Sequence, residues 1–447
     1  MLSRAFRHSR LATSVSKTIP CVSTTATLLH LKPSILFNRV KANSCDILRP
    51  FSSSNLLSVQ QHFNVRANPV DGNQVQVQWD ANTESLYQHF WLRDHCRCPS
   101  CYHPQTRQRL VDTFAIPVDI KPRSVQANED GLTVVWDNDE HKSVYEWAWL
   151  KNHTYNPPLK GKVELHSPKP VLWDATIANA PPVVQYEEVM TTKAGLAKWL
   201  DNIEVYGFSF VDGVPVSLEA TEKLARHICF IRESHYAPGL WDFTSDLAHA
   251  DTAYTDLALK AHTDTTYFSD PVGLQMFHKL EFDGTGGESL FVDGFKVAQN
   301  LKEQYPKAYE TLSTLRIPTH SAGDEKVMIV PTPREQSILN HLSDGTLYQI
   351  RYNNDDRSTL SNLTANQVDE FYDALRKWND ELTSDRNQYW ESLEPGRVVV
   401  FDNWRVLHGR ASFTGHRRLC GAYLNRDDFK SRVRSIKYSP AEKSTLL

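Results

Sequence analysis

Two short motifs that lie far apart in the chain constrain the fold more than any other feature. Residues 259–268 contain His262-x-Asp264 in a strand-like setting, and alternate residues of a strand share one face. A second histidine, His408, follows the apolar run of residues 397–401 near the other end of the chain. A fold that uses these three side chains together must therefore bring two distant segments to one place.

Two imidazoles and one carboxylate on one side of a metal leave three coordination positions open, which iron(II) oxygenases use to bind substrates. A closed zinc site would instead use four protein ligands. A single His-x-Asp triplet is weak evidence in a chain with 18 histidines, and taken alone it favours an ordinary surface or core histidine. The arginine pair Arg417-Arg418 reverses that preference, because one guanidinium at the start of a strand could hold the distal carboxylate of 2-oxoglutarate.

Cys96, Cys98 and Cys101 are the close group among the seven cysteines of the sequence. Their Cys-x-Cys-x-x-Cys spacing favours a tetrahedral zinc site, since three thiolates need one further ligand. In a reducing compartment such a group is better interpreted as a metal site than as disulfides. His95 and His103 are nearby candidates for the fourth ligand, and three free thiols without metal are the alternative.

The overall charge and hydropathy argue against two classes of partner. The net charge of −4 provides no general basic field that would attract nucleic acid. No stretch approaches the roughly eighteen uninterrupted apolar residues of a membrane span. We therefore expect a small-molecule substrate, with neither nucleic acid nor a bilayer as a partner.

The N-terminal segment differs from the rest of the chain. Residues 1–45 contain no acidic residue and seven lysines and arginines, with many serines and threonines between them. This composition is typical of an organelle transit peptide and lacks the compact apolar run of a secretory signal. The sequence predicts a mitochondrial transit peptide over residues 1–51 and import into the matrix, with a disordered tail as the alternative.

The remaining sequence divides into two parts. Period-two alternation, as in residues 75–79, predicts a small strand-rich domain over residues 60–152. Six prolines then predict a linker over residues 153–183. A larger domain over residues 184–435 follows, in which amphipathic segments near residues 297–315 and 364–382 interrupt runs of short strands.

The iron motifs, together with Tyr423 six residues after Arg417, resemble the carnitine-biosynthesis hydroxylases, the γ-butyrobetaine and trimethyllysine dioxygenase family of 2-oxoglutarate-dependent oxygenases. The resemblance covers nearly all of residues 60–435. It implies a mainly β fold with flanking helices: a double-stranded β-helix (jelly-roll) catalytic domain and a small β-rich zinc-binding N-terminal domain. It also implies Fe(II), 2-oxoglutarate, O₂ and a structural zinc, and we expect ascorbate as the reductant and a homodimer as the assembly.

The resemblance assigns metal and co-substrate roles to individual residues. Arg417, rather than Arg418, would bind 2-oxoglutarate. Ser289 is a second candidate contact to the keto acid, although a serine after two glycines is equally often a turn residue. The implied metal ligands are His262, Asp264 and His408 for iron, and Cys96, Cys98, Cys101 and His141 for zinc.

The same resemblance assigns a substrate pocket. Asp251 would pair with a free α-ammonium, and Asn353, or its neighbour Asn354, would bind the substrate carboxylate; a polar turn is the alternative for these residues. Aromatic faces attract a trimethylammonium group, although rings also simply fill cores. The rings that match this cage are Tyr236, Trp241, Tyr254 and Tyr423.

These assignments imply hydroxylation of trimethyllysine at C3, the first step of carnitine biosynthesis. Hydroxylation of γ-butyrobetaine by the same machinery is the nearest alternative, and Asp251 together with the presequence argues against it. A catalytically silent, zinc-dependent interaction protein on a jelly-roll scaffold is the alternative from another class. The intact His262, Asp264 and His408 set with Arg417 argues against that one.

Overall fold

A computed structural model describes residues 65–159, 168–244, 255–323 and 325–446. The predicted transit peptide and two of the predicted substrate contacts, Asp251 and Tyr254, lie outside the described residues. Within the part of the chain that is described, no helix combines the length and the apolar character needed to cross a bilayer.

The N-terminal part consists of two three-stranded antiparallel sheets, with strand orders β1-β2-β3 and β4-β5-β6, each followed by a short helix. The predicted alternation is present, because Val75 and Val77 are fully buried while the glutamines beside them are half-buried. A β-rich N-terminal part is thus confirmed. Its elements are β1 (Arg66–Val70), β2 (Gln74–Gln78), β3 (Glu84–Gln88), α1 (His89–Asp94), β4 (Pro122–Ala127), β5 (Gly131–Trp136), β6 (Lys142–Glu146) and α2 (Trp147–Asn152).

The two halves of this part repeat each other. Tyr87 on β3 and Tyr145 on β6 stand 58 positions apart in the sequence. Each donates its hydroxyl to the helix of the other half: Tyr87 to the carbonyl of Leu150 at 2.8 Å, and Tyr145 to the carbonyl of Leu92. Because the hydrogen bonds are exchanged and one hydrophobic cluster serves both halves, neither half has a core of its own.

The larger part packs two β-sheets face to face. Its principal strands are β7 (Val183–Gln185), β8 (Phe208–Asp212), β9 (Trp241–Thr244), β10 (Leu259–His262), β11 (Leu274–Phe282) and β12 (Ser289–Asp293), followed by the short pairs β13 (Ile317–Pro318) with β14 (Glu335–Gln336) and β15 (Leu339–His341) with β16 (Leu347–Ile350), and finally β17 (Tyr389–Glu391), β18 (Arg397–Asp402), β19 (Val406–Arg410) and β20 (Arg417–Leu424). One sheet has the order β7-β8-β18-β11-β20-β9 and the other the order β10-β19-β12-β17. Phe208, Phe291 and Phe401 belong to the apolar cluster between them.

Helices cover both sheets, so a mainly β core with flanking helices is confirmed. Apolar residues of α4, α5 and α9 pack on the six-stranded sheet, and those of α6, α7 and α8 pack with the four-stranded sheet. The helix predicted near residues 297–315 is two helices, because Pro306 has no N–H to continue the first and is favourable at the start of the second. The helices are α3 (Tyr186–Thr191), α4 (Lys193–Tyr206), α5 (Leu218–Ile228), α6 (Gly294–Gln304), α7 (Pro306–Thr314), α8 (Ala365–Thr383), α9 (Arg426–Lys437) and α10 (Pro440–Leu446).

A buried ion pair fixes the turn between β18 and β19. The guanidinium of Arg405 donates two hydrogen bonds to the carboxylate of Asp293, at 3.0 and 2.8 Å, and the two side chains are 2% and 0% exposed. Arg405 also donates to the carbonyls of Val205 and Val171 at 2.8 and 2.6 Å. The turn leads directly into the strand that carries His408, so this pair anchors one side of the predicted iron site.

We expect Arg405→Met to lower the free energy of unfolding by about 3–5 kcal/mol, because the carboxylate of Asp293 would stay buried without its partner. Urea unfolding of the iron-free protein measures the change. Arg226→Met is the matched control: its guanidinium and the carboxylate of its partner Glu222 are both exposed, so we expect a loss below about 1 kcal/mol. Equal losses in the two variants would contradict the role of the buried pair.

Candidate functional site

The three predicted iron ligands meet at the edge of the four-stranded sheet. β10 and β19 are antiparallel neighbours whose register places His262 directly opposite His408. Asp264 lies two residues further along the chain, with Oδ1 at 3.2 Å from His262 Nε2 and 3.6 Å from His408 Nε2. Each of the three residues offers one ligand atom to the same point, so this group could hold a metal ion.

Hydrogen bonds to the other polar atoms of two ligands orient them. His262 Nδ1 lies 2.7 Å from the carbonyl of Lys260 and donates to it, which leaves Nε2 as the nitrogen that faces the other two ligands. Asp264 Oδ2 accepts from Gln275 Nε2 at 2.7 Å and from the hydroxyl of Tyr423 at 2.8 Å. Sequence analysis missed Gln275, although a glutamine within the apolar start of β11 was the signal that could have shown it.

The backbone around Asp264 is also held in place. Asn403 accepts from the N–H of Asp264 at 2.8 Å and donates to its carbonyl at 3.0 Å. The next residue, Thr265, has φ +56°, which is unfavourable for a β-branched side chain. Its hydroxyl accepts from the N–H of Val272 at 3.0 Å, so the turn is kept in this conformation by contacts on both sides.

The charges of the three side chains depend on each other. Burial alone would lower the pKa of His262, but the hydrogen bond and charge of Asp264 outweigh it and raise this pKa to about 9. Burial, followed by the charge of His262, lowers the pKa of His408 to about 3. Burial opposes ionisation of Asp264, yet the neighbouring histidines hold the pKa of its carboxyl below the ordinary range. The site thus pairs one imidazolium with one carboxylate, and a divalent cation can take the place of that proton.

Arg417 provides an anion site in the cavity that the three metal-binding side chains line. It begins β20, is 7% exposed, and its guanidinium has no hydrogen-bond or ion-pair partner among the described residues. Burial, followed by the charge of Arg410, lowers the pKa of Arg417 to about 9. A buried guanidinium costs free energy unless an anion pairs with it. The three metal-binding side chains line the same cavity. A ligand that binds the metal there can therefore pair a second, carboxylate group with the guanidinium of Arg417.

Of the two other candidate contacts to 2-oxoglutarate, Ser289 lines the cavity and Arg418 lies at the surface. Ser289 is buried at the start of β12, opposite Arg410 of β19, and lines the cavity with Arg417. Arg418 instead extends to the surface, where it forms two hydrogen bonds with the carboxylate of Asp242, at 3.0 and 2.7 Å. The structure therefore places one arginine of the pair towards the site and the other away from it.

Three of the predicted cage rings line this cavity, which has a volume of about 1000 Å³. The ring centroids of Trp241 and Tyr423 are 6.0 Å apart, and the hydroxyls of Tyr236 and Tyr267 are 2.9 Å apart. A Cβ added to Gly421 would lie 2.2 Å from Cη2 of Trp241. Glycine at this position of β20 therefore lets the indole lie across the strand.

The two asparagines also line the cavity. Asn353 is half-buried, and its Oδ1 accepts from the N–H of Asp355 at 3.0 Å. Asn354 is exposed, and its Oδ1 lies 3.4 Å from the guanidinium of Arg357. Asn353 is thus the more enclosed of the pair.

The cysteine group and His141 form a second cluster that could hold a metal ion. His141 Nε2 lies 3.3 Å from the Sγ of Cys96 and 3.5 Å from those of Cys98 and Cys101. Zinc–sulfur bonds of about 2.3 Å and a zinc–nitrogen bond of about 2.0 Å in a tetrahedron require a sulfur–nitrogen separation of about 3.5 Å. Burial, followed by the charge of Arg93, lowers the pKa of His141 and so favours the neutral imidazole that a metal binds.

The two local histidines are engaged elsewhere. His95 stacks on Trp91 with ring centroids 4.3 Å apart and bonds to its carbonyl through Nδ1 at 2.8 Å. His103 Nδ1 accepts from the backbone N–H groups of Gln105 and Thr106 at 3.3 and 3.1 Å. Among the described residues, His141 is the histidine that joins the three cysteines.

Comparison with known proteins matches both parts of the chain to families of related dioxygenases. The family described as "Taurine catabolism dioxygenase TauD, TfdA family" matches residues 171–423, and the "Gamma-butyrobetaine hydroxylase-like, N-terminal" family matches residues 67–151. A trimethyllysine dioxygenase of Meyerozyma guilliermondii is 42% identical over 81% of this chain and 93% of its own. A mitochondrial trimethyllysine dioxygenase of Rattus norvegicus is 43% identical over 80% and 84% of the two chains, and a γ-butyrobetaine dioxygenase of Homo sapiens is 30% identical over 83% and 97%. The chain therefore belongs to the TauD/TfdA dioxygenases, within the family of the trimethyllysine and γ-butyrobetaine dioxygenases.

Proposed function

We propose that this dioxygenase hydroxylates N6,N6,N6-trimethyllysine at C3, the first step of carnitine biosynthesis. The observation that carries the proposal is that one cavity contains the three metal-binding side chains, the unpaired Arg417 and three aromatic rings. The higher identity to trimethyllysine dioxygenases than to a γ-butyrobetaine dioxygenase favours this substrate over the alternative.

The family uses iron(II), 2-oxoglutarate and O₂, which together supply an oxidant strong enough for a C–H bond and release succinate and CO₂. His262, Asp264 and His408 would hold the iron, because they offer two nitrogens and one carboxylate oxygen and leave the remaining positions open. Arg417 would bind the distal carboxylate of 2-oxoglutarate with two parallel hydrogen bonds. Ser289 would add a hydroxyl contact from the neighbouring strand.

The aromatic rings would hold the far end of the substrate. Trp241, Tyr423 and Tyr236 would attract the trimethylammonium group, each well-placed and desolvated ring contributing on the order of 1–2 kcal/mol. Tyr254 is the proposed fourth ring, on the basis of the sequence. At the other end, Asn353 would bind the α-carboxylate and Asp251 the α-ammonium.

The test offers trimethyllysine and γ-butyrobetaine separately to enzyme loaded anaerobically with iron(II) and 2-oxoglutarate, then admits O₂. We expect trimethyllysine to gain one oxygen atom with matched succinate formation, and γ-butyrobetaine to react with a kcat/KM at least about tenfold lower, because hydrogen bonds to a charged α-ammonium are lost. Unmethylated lysine is the control for the aromatic cage. A preference for γ-butyrobetaine would establish the alternative substrate instead.

Several further properties belong to the same proposal. The relatives of rat, human and cattle are named mitochondrial, which supports import into the mitochondrial matrix through residues 1–51. The two packed sheets are consistent with a jelly-roll catalytic domain over residues 184–435, joined through residues 153–183 to the N-terminal domain over residues 60–152. Ascorbate is the proposed reductant and a homodimer the proposed assembly.

We also propose that the cysteine group binds a structural zinc through Cys96, Cys98, Cys101 and His141. A mild chelator should remove iron and leave one equivalent of zinc, because three thiolates bind zinc far more firmly than an open site with two imidazoles and a carboxylate binds iron(II). Elemental analysis before and after chelation measures both metals. Loss of zinc in parallel with iron would contradict a separate structural site.

A further inference from the structure

One carboxylate in the cavity wall is not among the three metal-binding side chains. Asp356 is half-buried and lines the same cavity as His262. Its Oδ2 accepts a hydrogen bond from Thr266 Oγ1 at 2.8 Å, and its carbonyl accepts one from the N–H of His320 at 3.0 Å. Both the side chain and the backbone of Asp356 are therefore fixed in position.

The segment that carries Asp356 runs alongside the turn that carries the iron ligand. At one end, the N–H of Thr263 donates to the carbonyl of Tyr352 at 2.7 Å. At the other end, Thr266 donates to Asp356. Asp264 lies between Thr263 and Thr266. The carboxylate of Asp356 is therefore hydrogen-bonded to Thr266, only two positions after the metal-binding Asp264.

The chemistry of trimethyllysine favours an acidic group near the metal ligands. Its α-nitrogen is two bonds from C3, which puts the two atoms about 2.5 Å apart. When C3 faces the metal, the α-ammonium must be bound next to the metal ligands. An alkylammonium has three N–H donors, so it can use a second carboxylate in addition to the proposed Asp251.

The charged neighbours of Asp356 in the sequence are less enclosed or bound elsewhere. Asp355 also lines the cavity but is exposed. The guanidinium of Arg357 lies 5.5 Å from the ring centroid of Tyr372 on α8, and donates to its hydroxyl at 3.3 Å. Asp356 is thus the enclosed acid of this segment.

We propose that Asp356 binds the α-ammonium of the amino-acid substrate and thereby selects a betaine that carries an α-amine. This inference rests on the proposed function, since it assigns a residue to one group of the proposed substrate. It gives the cavity an acidic subsite next to the turn that carries Asp264.

The experiment compares Asp356→Asn with wild type in the holoenzyme. Calorimetry of the anaerobic enzyme with iron(II) and 2-oxoglutarate measures binding of trimethyllysine and of 6-(trimethylammonio)hexanoate, which has the same chain without the α-amine. We expect the variant to bind trimethyllysine at least about tenfold more weakly and to lose a similar factor in kcat/KM. Binding of the hexanoate should change by less than about twofold, because it lacks the group that Asp356 contacts.

Two controls separate binding from structure. Asp355→Asn removes the same charge one residue away and should leave both affinities near wild type. An unchanged visible absorption of the iron(II)–2-oxoglutarate complex in Asp356→Asn shows that the metal site is intact. Equal losses for the two ligands, a loss in Asp355→Asn that matches Asp356→Asn, or no loss at all would overturn the assignment. A wild-type enzyme that does not bind or convert trimethyllysine would instead overturn the proposed function.

Discussion

His408→Ala should reduce substrate-dependent succinate formation by at least about a thousandfold, since loss of a metal ligand removes several kcal/mol of metal-assisted catalysis and each 1.4 kcal/mol is about tenfold in rate. We expect the protein to remain folded, because β19 is paired with β10 on one side and β12 on the other through its backbone. The ring of His408 packs against Phe401 and Phe277, so a moderate loss of stability is expected from the smaller side chain.

Circular-dichroism melting and an anaerobic iron(II) titration should accompany the activity measurement. His341→Ala is the matched control: His341 is half-buried and bonds to Tyr309, but it lies outside the residues that line the cavity. We expect the control to retain iron binding and at least half of wild-type activity. Activity close to wild type in His408→Ala would rule out the proposed ligand set.

The part of the site that could be predicted from the sequence consists of residues whose spacing already expresses a geometry. His262 and Asp264 are two positions apart, which places them together on one face of an extended chain. The three cysteines are close enough to meet whatever the fold. The N-terminal β-rich part was likewise visible in the alternation around Val75, because a half-buried strand must repeat every second residue.

Residues that act through tertiary contacts had no such signal. Gln275 and Asn403 hold Asp264 from β11 and from the turn after β18, and nothing in their local sequence indicates which carboxylate they contact. Asp356 lies in a polar turn, where acidic residues are ordinary. The choice of the fourth ligand in the cysteine cluster illustrates the same limit, because the nearest histidine in the sequence, His95, stacks on Trp91 instead.

Some features could have been predicted and were missed. Pro306 divides the helical segment near residues 297–315, and proline at the first position of a helix is a known start signal. The repeat of the N-terminal part also leaves a trace in the sequence, since Tyr87 and Tyr145 follow similar strand patterns 58 positions apart. An alignment of the two halves with each other shows it.

Arg417→Met should raise the KM for 2-oxoglutarate by about a hundredfold, because two charge-assisted hydrogen bonds worth about 1.5 kcal/mol each would be lost. The same change should not destabilise the 2-oxoglutarate-free protein and is expected to stabilise it, because the guanidinium is buried over the ring of Phe413 with no hydrogen-bond or ion-pair partner among the described residues. An arginine with only a structural role would instead leave the KM for 2-oxoglutarate unchanged and lower the stability of the protein when it is replaced. Steady-state kinetics and urea unfolding measure the two effects.

Arg418→Met is the matched control for this prediction, since it removes the same group one residue further along β20. Arg418 is one-third exposed and pairs with Asp242 and Glu281 at the surface, so we expect an unchanged KM for 2-oxoglutarate and a stability loss below about 1 kcal/mol. 2-Oxoglutarate should raise the melting temperature of wild type and of Arg418→Met but not of Arg417→Met, because a ligand stabilises a fold only through the state that binds it. A stabilising effect of 2-oxoglutarate that survives in Arg417→Met would show that another cation binds the distal carboxylate, and Arg410, which lines the same cavity, would then be the residue to test.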